Sequence, residues 1–263
     1  MSNSFLPVDL SGYRVVITAA GSGIGKVSAE GFLARGARVY VSDIQPEPLS
    51  ATIAATDSLE GSIADVADEA AVDRMFADAL TKLGGIDVLI NNAGVPGPAC
   101  GIEKVTPEDV EKTLAVNVKS QFHCSARAVK SMRESGGGSI INMSSVAGRL
   151  AFPNRTPYAA AKWGVIGFSK SLAMEVGRDN IRVNAILPGH VEGDRFRSVW
   201  ARRAIEDGLE PETVIDEVLD RVALGRTVAV EDIVNMQLFL ASPFGASVSG
   251  QALSVCGGVE MMR

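Results

Sequence analysis

Residues 14–25 read RVVITAAGSGIG and join a short apolar run to a glycine-rich turn. The run Arg14–Thr18 is rich in β-branched residues, which predicts a strand buried on both faces. The segment after the turn is rich in Ala, Glu and Lys, which predicts a helix. Glycines between a strand and a helix allow a pyrophosphate to approach the backbone N–H groups at the positive end of the helix dipole. A plain strand–helix connection would also explain these glycines.

The alternation of strands and helices continues along the chain. Five further runs predict strands, and a weaker run lies near Leu59–Ile63. The five runs are Arg38–Ser42, Ile86–Asn91, Ser139–Asn142, Arg182–Leu187 and Ala252–Val255. The pattern predicts an α/β fold with a Rossmann-like, doubly wound, mostly seven-stranded parallel sheet and helices on both faces. No repeat or linker divides the chain, so residues 1–263 are predicted to form a single domain.

Composition narrows the classes of protein. The 263 residues are 46% hydrophobic and 21% charged, which is enough apolar material for a large core. The net charge of −6 argues against a nucleic-acid partner. Three widely spaced cysteines and two histidines predict neither a metal site nor a disulfide framework. No signal-peptide pattern or continuous apolar span is found, so we expect a cytoplasmic protein without a membrane partner.

Asp43 ends the second predicted strand, 18 residues after Gly25. A carboxylate at about this distance from a glycine turn binds the hydroxyls of an adenosine ribose. Because a carboxylate repels a 2′-phosphate, Asp43 favours NAD over NADP. Neither Ser22 nor Ile44 supplies the positive charge that an NADP site requires. A solvated turn residue is the simpler alternative for Asp43.

The segment 156–162, TPYAAAK, predicts the start of a helix, with Thr156 as its cap and Pro157 at its first position. Tyr158 and Lys162 are four residues apart and therefore share one face. A neighbouring ammonium favours the phenolate form of a tyrosine, which can then act as a base. An exposed Tyr and Lys one turn apart would show the same pattern.

Several separated motifs then occur in one order. They are the glycine turn, Asn91–Gly94, Asn117, Ser144-Ser145, Tyr158 with Lys162, and Pro188-Gly189. In this order, and with Ser145 thirteen residues before Tyr158, the chain resembles the short-chain dehydrogenase/reductase family over nearly its whole length. The resemblance implies a dinucleotide-binding catalytic domain that moves a hydride between a nicotinamide cofactor and an alcohol or ketone.

The resemblance also implies four catalytic residues. Tyr158 would be the general acid/base, and Lys162 would hold the nicotinamide ribose and favour the phenolate. Ser145 would polarise the substrate oxygen, and Asn117 would position a helix carbonyl and a water for proton relay. Ser144 is the alternative to Ser145, but neighbouring strand residues point to opposite faces and the spacing to Tyr158 favours Ser145.

Cofactor contacts are implied at the turn and at the strand ends. The residues are Gly21, Ser22, Gly23, Ile24, Gly25, Asp43, Asp65, Val66, Asn92, Ala93, Gly94, Tyr158, Lys162, Pro188, Gly189 and Val191. Three positions depart from the family pattern: Ala19 replaces a glycine, Gly193 a threonine and Cys256 an aspartate. We expect Ala19 to take a common negative φ.

Residues 189–224 are predicted to be an irregular lid that covers the substrate. Arginines in and near this segment suit a carboxylate, sulfonate or phosphate. The candidate substrate contacts are Ser145, Arg155, His190 and Arg195. Alternatively, these arginines pair with the seven acids of 204–220, and His190 is a packing residue.

These observations predict an NAD-dependent oxidoreductase for a small polar secondary alcohol or ketone, such as a sugar, a polyol or an anionic hydroxy acid. The alternatives are a 3-ketoacyl thioester reductase, which usually prefers NADP, and a non-catalytic NAD-sensing protein. Asp43 argues against the first, and the intact Tyr158–Lys162 pair argues against the second. The resemblance further implies a homotetramer with contacts from the helix near Tyr158 and from Ser249–Arg263.

Overall fold

One parallel sheet forms the centre of the chain. The computed structural model describes residues 5–56 and 58–261, except the side chains of residues 194, 195, 202, 203, 206 and 207. The strands of this sheet are β1 Arg14–Thr18, β2 Arg38–Asp43, β3 Glu60–Ile63, β4 Val88–Asn91, β5 Gly138–Met143, β6 Ile181–Pro188 and β7 Ala252–Val255. Their order is β3-β2-β1-β4-β5-β6-β7, and all neighbours are parallel. The predicted doubly wound α/β sheet is confirmed.

Helices cover both faces of the sheet. They are α1 Gly23–Leu33, α2 Pro46–Ala54, α3 Glu69–Leu83, α4 Pro107–Leu114, α5 Ser120–Ser135, α6 Thr156–Val176, α7 Asp194–Asp207, α8 Pro211–Leu219 and α9 Val230–Ala241. Val15 and Ile17 of β1 share one core with α1 and α9, whereas Val16 shares the other with α3 and α5. Each fully buried aliphatic side chain contributes roughly 1.5–3 kcal/mol, so the two cores clamp the sheet from both sides. Within the described residues, no helix combines the length and apolar character needed to cross a bilayer.

The segment after β6 is more regular than expected. Residues 189–224 contain α7 and α8, so the expected irregular structure is wrong. The role of this segment as a cover for the substrate stays a prediction, and lid is used only as a name for residues 189–224. Val214 and Val218 are one turn apart and buried, and this spacing anchors α8. The dense charges of α7 conceal its apolar positions in the sequence.

The order of the strands determines where a site can form. The chain places β2 and β3 on one side of β1, and β4 to β7 on the other. A crevice forms where such a strand order reverses, outside the carboxyl ends of the central strands. The end of β1 therefore lies beside the end of β4, and the predicted glycine turn and Asn91–Gly94 meet there.

Candidate active site

The glycine turn between β1 and α1 is held by long-range backbone contacts. Ala19 has a φ of +54°, so the expectation of a negative φ is wrong. Its carbonyl accepts a hydrogen bond from Asn92 Nδ2 at 2.9 Å, and this contact stabilises the left-handed conformation. A Cβ atom at Gly25 would lie 2.3 Å from the same carbonyl oxygen. The turn therefore has no space for a side chain at Gly25.

The N-terminus of α1 keeps its donors available for an anion. Ser22 is the N-cap residue, but its side chain makes no capping hydrogen bond. The first turn also contains no acidic residue that would repel an anion. The unpaired N–H groups and the helix dipole thus favour a phosphate at this end.

Asp43 is bound directly to the glycine turn. Its Oδ2 accepts the backbone N–H of Gly21 at 2.9 Å, and its Oδ1 accepts the N–H of Gln45 at 2.9 Å. A Cβ at Gly21 would lie 3.0 Å from Asp43 Oδ2, so the glycine permits this close approach. The half-buried carboxylate retains further acceptor capacity on both oxygens.

The residues after β3 end at the same edge of the sheet. Ala64 N donates to the carbonyl of Asp43 at 2.9 Å, which joins this segment to the end of β2. Asp65 Oδ1 accepts the N–H of Ala67 at 2.9 Å, while Val66 is buried. Asp65 and Val66 therefore follow the edge strand β3, next to Asp43 at the end of β2. Tyr158 lies in α6, after β5 on the other side of β1.

Asn92 and Ala93 connect the end of β4 to the end of β1. The backbone N–H groups of both residues donate to Thr18 Oγ1 at 3.1 Å. Asn92 Nδ2 donates to the Thr18 carbonyl as well as to the Ala19 carbonyl. This crossed arrangement holds the crevice at the point where the strand order reverses.

A π-helical segment, Ala115–Lys119, interrupts the helix between α4 and α5. Side chains four residues further along bind carbonyls that the irregular turn leaves exposed. Asn117 Nδ2 donates to the Thr113 carbonyl at 2.9 Å, and Ser120 Oγ donates to the Val116 carbonyl at 2.6 Å. Asn117 also exchanges two hydrogen bonds with the backbone of Val95. Asn117 is therefore rigidly held against the loop that follows β4.

The structure separates the two neighbouring serines. Ser144 is buried, and its Oγ donates to the carbonyl of Lys162 at 2.8 Å. Ser145 is partly exposed at the end of β5, where its Oγ accepts the N–H of Ala147 at 3.2 Å. Ser144 thus serves to dock α6, and Ser145 presents its hydroxyl at the carboxyl edge of the sheet.

Lys162 is a buried cation beneath Tyr158. It is 4% exposed, and its Nζ donates to the carbonyl of Met143 at 2.9 Å. The same Nζ lies 5.6 Å from the centroid of the Tyr158 ring. A Cβ at Gly94 would lie 3.4 Å from Lys162 Nζ and 2.9 Å from Asn117 Oδ1. The structure therefore brings Asn117, Lys162 and Tyr158 together around Gly94.

Arg155 occupies the start of the tyrosine helix. It is the N-cap residue of α6 and Thr156 is the first helical residue, so the expected Thr156 cap is wrong. The guanidinium lies 5.3 Å from the centroid of the Tyr158 ring, and its Nε and Nη2 donate to the carbonyl of Pro96. These bonds tie the loop after β4 to α6, and they explain why the chain enters the helix at Arg155.

The Pro-Gly segment packs against the end of β7. Gly189 N donates to the Val255 carbonyl at 3.0 Å, and a Cβ at Gly189 would lie 2.7 Å from the Cα of Cys256. Val191 forms a parallel bridge with Val228. Backbone pairing therefore places Pro188 to Val191 at the same edge of the sheet as the strand ends described above.

His190 belongs to an aromatic cluster at the base of the lid. Its ring lies 5.7 Å from both the Phe196 and Trp200 rings, measured between centroids. Burial lowers the pKa of His190 below its ordinary value. The imidazole is therefore neutral at pH 7, which fits packing and allows one ring nitrogen to accept a hydrogen bond.

Two described arginines near the lid, Arg197 and Arg149, are engaged by the protein. Arg197 Nη2 donates to Glu192 Oε1 at 2.6 Å, and Thr227 binds the other carboxylate oxygen. Arg149 forms an ion pair with Glu260 at 2.8 Å and also donates to the Ala252 carbonyl. Their partners are outside the acidic segment 204–220. The Arg195 side chain lies outside the described residues.

Sequence reasoning missed the groups that hold the site from behind. Thr18 receives two N–H groups from the β4 end, and the Met143 carbonyl holds Lys162. Gln121 Nε2 donates to the Asn117 carbonyl at 3.1 Å. The four-residue spacing from Asn117 to Gln121 was the signal for this last contact, whereas no sequence pattern identifies a main-chain carbonyl.

The chain is similar to many dehydrogenases and reductases. It is 38% identical over 256 residues to the probable galactose dehydrogenase GalD of Rhizobium meliloti (strain 1021), covering 95% of this chain and 96% of that protein. It is 36% identical to a sorbitol dehydrogenase of Cereibacter sphaeroides, with 95% and 98% covered. It is 35% identical to the 3-oxoacyl-[acyl-carrier-protein] reductase FabG of Thermotoga maritima, with 95% and 98% covered.

Solved structures show the same architecture. An actinorhodin polyketide ketoreductase with NADPH matches with a TM-score of 0.90 and 32% identity, covering 94% of this chain and 97% of the other. An NAD+-bound xylitol dehydrogenase matches with a TM-score of 0.89 and 26% identity, covering 94% and 99%. A family model described as enoyl-(acyl carrier protein) reductase matches residues 18–260. With this coverage and these relatives, the chain belongs to the short-chain dehydrogenase/reductase family of oxidoreductases.

Proposed function

We propose that this protein is an NAD-dependent oxidoreductase that moves a hydride between nicotinamide and a small polar secondary alcohol or ketone. The buried amino group of Lys162 carries the proposal. Its Nζ donates to the Met143 carbonyl and lies 5.6 Å from the centroid of the Tyr158 ring. Burial of the Lys162 amino group lowers the free energy of unfolding, so a purely structural role does not explain its place beside a partly exposed phenol. The arrangement is well suited to proton transfer at the phenol oxygen.

The crevice fits a nicotinamide dinucleotide. The missing side chains of Gly21 and Gly25 leave room beside Asp43 and the N-terminus of α1, where a pyrophosphate and a ribose would bind. Val66 and Asp65 would flank the adenine. Lys162 and Tyr158 would hold the nicotinamide ribose. The residues proposed to surround the rest of the cofactor are Ser22, Gly23, Ile24, Asn92, Ala93, Gly94, Pro188, Gly189 and Val191.

Asp43 supports NAD over NADP. Its carboxylate already accepts two backbone N–H groups, which fix its position next to the glycine turn. A 2′-phosphate at this place would meet a fixed negative charge. The similar solved structures include one with NAD+ and one with NADPH, so this preference depends on the residue and not on the fold.

The residues divide the proton chemistry among themselves. When bound, NAD would accept the hydride from the carbinol carbon of the substrate. Ser145 donates a hydrogen bond to the substrate oxygen, and Tyr158 removes the hydroxyl proton as the hydride leaves. Lys162 stabilises the phenolate before the transfer, and Asn117 holds the helix carbonyl that receives a relay water. In the reverse direction Tyr158 returns the proton.

The proposed substrate is a sugar, polyol or hydroxy acid. Relatives named for galactose and sorbitol support a polyhydroxylated substrate. Arg149 and Arg197 are paired with carboxylates, so an anionic substrate would depend on Arg155, His190 or Arg195. A neutral sugar or polyol is therefore the class that the described contacts favour.

Two alternatives stay open, and one of them has specific support. The FabG relative is named for a thioester-linked substrate, which supports a 3-ketoacyl reductase. Asp43 argues against it because that activity usually uses NADP. A non-catalytic NAD sensor would share the crevice, but it would have no use for the buried Lys162.

The assembly is proposed from family resemblance and from an exposed apolar face. Phe122 of α5 and Trp163 of α6 are each about half exposed, and Phe122 stacks on Phe168 at 4.1 Å. An exposed apolar face of this kind would be covered in an assembly, which supports the proposed homotetramer. Each chain would contribute one domain, with the lid at 189–224. A cytoplasmic location stays a prediction.

Turnover by the purified protein tests the proposal. Nicotinamide absorbance is followed with NAD and NADP against neutral polyols and sugars, anionic hydroxy acids, apolar secondary alcohols and 3-ketoacyl thioesters. We expect NAD-linked turnover of neutral polyols or sugars. Tyr158→Phe should lower kcat by about 10³-fold while retaining NAD binding, since general acid/base catalysis contributes about 10²–10⁴-fold. NAD binding without turnover of any substrate would favour the sensor, and NADP-linked thioester reduction would favour the second enzyme.

A further inference from the structure

Three polar residues form a buried stripe along the helix that carries Asn117. Asn117, Gln121 and Ser125 are spaced four residues apart and therefore lie on one face. Each is at most 1% exposed. Polar side chains this deep in a helix interface require hydrogen-bond partners, so the partners of each residue can be examined in turn.

Gln121 has a partner for only one end of its amide. Its Nε2 donates to the Asn117 carbonyl at 3.1 Å. The amide cannot be reversed, because Oε1 and a carbonyl oxygen are both acceptors. Oε1 is therefore directed elsewhere, and it is fully buried with no hydrogen-bond partner in the described part of the chain.

Both ends of the stripe are polar and fully connected. Ser125 Oγ accepts from Asn91 Nδ2, and the same Nδ2 donates to Asn142 Oδ1 at 2.8 Å. Asn142 Nδ2 continues to Ser169 Oγ at 2.9 Å. At the other end, Asn117 lies with Lys162 around Gly94. Gln121 Oε1 is thus the one open acceptor between the Lys162 end and a bonded interior network, within the residues described.

We propose that Gln121 is a positioning residue that binds one buried water at Oε1 and holds the Asn117 carbonyl with Nε2. Buried polar groups without a protein partner are ordinarily satisfied by ordered water. The water donates one O–H to Gln121 Oε1, and the same amide fixes the Asn117 carbonyl, which is the carbonyl that the proposed relay uses, through Nε2. The functional part of this inference rests on the proposed dehydrogenase activity, whereas the water site does not.

The relay moves protons only. Gln121 exchanges no proton itself, because Nε2 keeps its hydrogen bond to the Asn117 carbonyl and Oε1 only accepts one from the water, so no group is oxidised or consumed. Gln121 stays neutral throughout and acts through the orientation of the water and of the Asn117 carbonyl. It is therefore not a catalytic residue.

A crystal structure of the wild-type protein tests the water site. We expect density for one water about 2.7–3.2 Å from Gln121 Oε1, and no such water in Gln121→Met, whose side chain has a similar length but no amide. A wild-type structure in which Oε1 meets a protein donor, or an empty space, would overturn the proposal. This measurement is independent of any substrate.

Kinetics test the role in proton transfer. We expect Gln121→Met to lower kcat about tenfold, a part of the whole acid/base contribution, with the KM for NAD changed by less than about twofold and a larger solvent isotope effect on kcat. Ser120→Ala is the matched control. Ser120 caps the Val116 carbonyl of the same π-helical segment and has no open acceptor.

The control separates the outcomes. A lowered kcat with a larger isotope effect in Gln121→Met alone supports the relay. Equal losses in both variants with unchanged isotope effects would show that Gln121 only shapes the helix, and the relay role would be wrong. A water at Oε1 in a protein without dehydrogenase activity would overturn the relay and the proposed function while leaving the water site in place.

Discussion

The cofactor end and the lid of this protein are held by different kinds of contact. In the cofactor end, Gly21 binds Asp43 across 22 residues, and Asn92 binds Ala19 across 73 residues. In the lid, Glu192 binds Arg197 five residues away and Thr227 35 residues away. His190 packs on Phe196 and Trp200 of the same segment.

This difference indicates which end tolerates change. Long-range bonds between strand ends make the shape of the crevice depend on several segments at once. The shorter-range contacts of the lid would allow its sequence to change with less effect on the sheet. This contrast fits the proposal of a constant dinucleotide at the strand ends and a variable substrate under the lid.

The largest effect is expected from a side chain at Gly25. Gly25→Ala places a methyl group 2.3 Å from the Ala19 carbonyl oxygen and 2.7 Å from Asn92 Nδ2. We expect an unfolding free energy lower by about 1–3 kcal/mol and NAD binding about 100-fold weaker by calorimetry, which corresponds to about 2.7 kcal/mol. Gly167→Ala in α6 is the control, since its Cβ would meet no atom within 4 Å. Equal behaviour of both variants would contradict the long-range model.

Asp43 tests the charge at the same end. Asp43→Asn keeps an acceptor for the Gly21 N–H but removes the negative charge. The ratio of kcat/KM for NAD over NADP should fall about 30-fold, since repulsion of a 2′-phosphate is worth about 2 kcal/mol. An unchanged ratio would mean that Asp43 only supports the glycine turn.

His190 probes the lid through pH. Because burial lowers its folded-state pKa, the unfolded chain binds a proton first as the pH falls through the ordinary value of 6.5. Stability is therefore present above this pH and is lost on acidification. His190→Phe retains an aromatic ring, so its melting temperature should fall less than that of the wild type between about pH 7.5 and pH 5.5. Parallel curves would show that His190 does not contribute.

The smallest effect is expected at Ala19. Its φ of +54° costs about 1–2 kcal/mol for a residue with a Cβ, and a glycine there would relieve this strain. The greater chain entropy of glycine in the unfolded state offsets about 0.5–1 kcal/mol of the relief. Ala19→Gly should therefore raise the unfolding free energy in urea by up to about 1 kcal/mol. Ala20→Gly, at a neighbour without a positive φ, should lower it. A loss of stability in both variants would argue against strain at Ala19.

Much of the fold was predictable because a parallel sheet leaves a strong pattern. Strands such as β1 and β4 are buried on both faces and appear as continuous apolar runs. The edge strand β3 gave a weaker signal, since Ile63 is largely exposed and Gly61 packs close to the Val41 carbonyl. The strands could therefore be recognised in the sequence because they are buried on both faces.

The meeting of Asn117, Tyr158 and Lys162 was predictable, whereas the contacts that hold them in place were not. Motif order brings Tyr158, Lys162 and Asn117 to one edge because parallel strands end on the same side. The left-handed Ala19 is held by the side-chain amide of Asn92, and the Arg155 side chain by the Pro96 carbonyl, both from distant segments. The charged residues of α7 hide the apolar face by which a helix is recognised in a sequence. Contacts to the main chain leave no mark in the side-chain pattern.

Because the π-helical segment Ala115–Lys119 contains Asn117, the number of residues in this helix affects the position of Asn117. A π turn contains about one residue more than the α turn that it replaces. Deleting one residue there would favour a continuous α-helix, and because the α turn covers the same arc with one residue fewer, the helix faces on either side would stay in phase. Asn117 lies inside the turn that would be shortened, so a deletion that perfects the helix would move its side chain away from the Val95 backbone and break the polar stripe beneath Lys162.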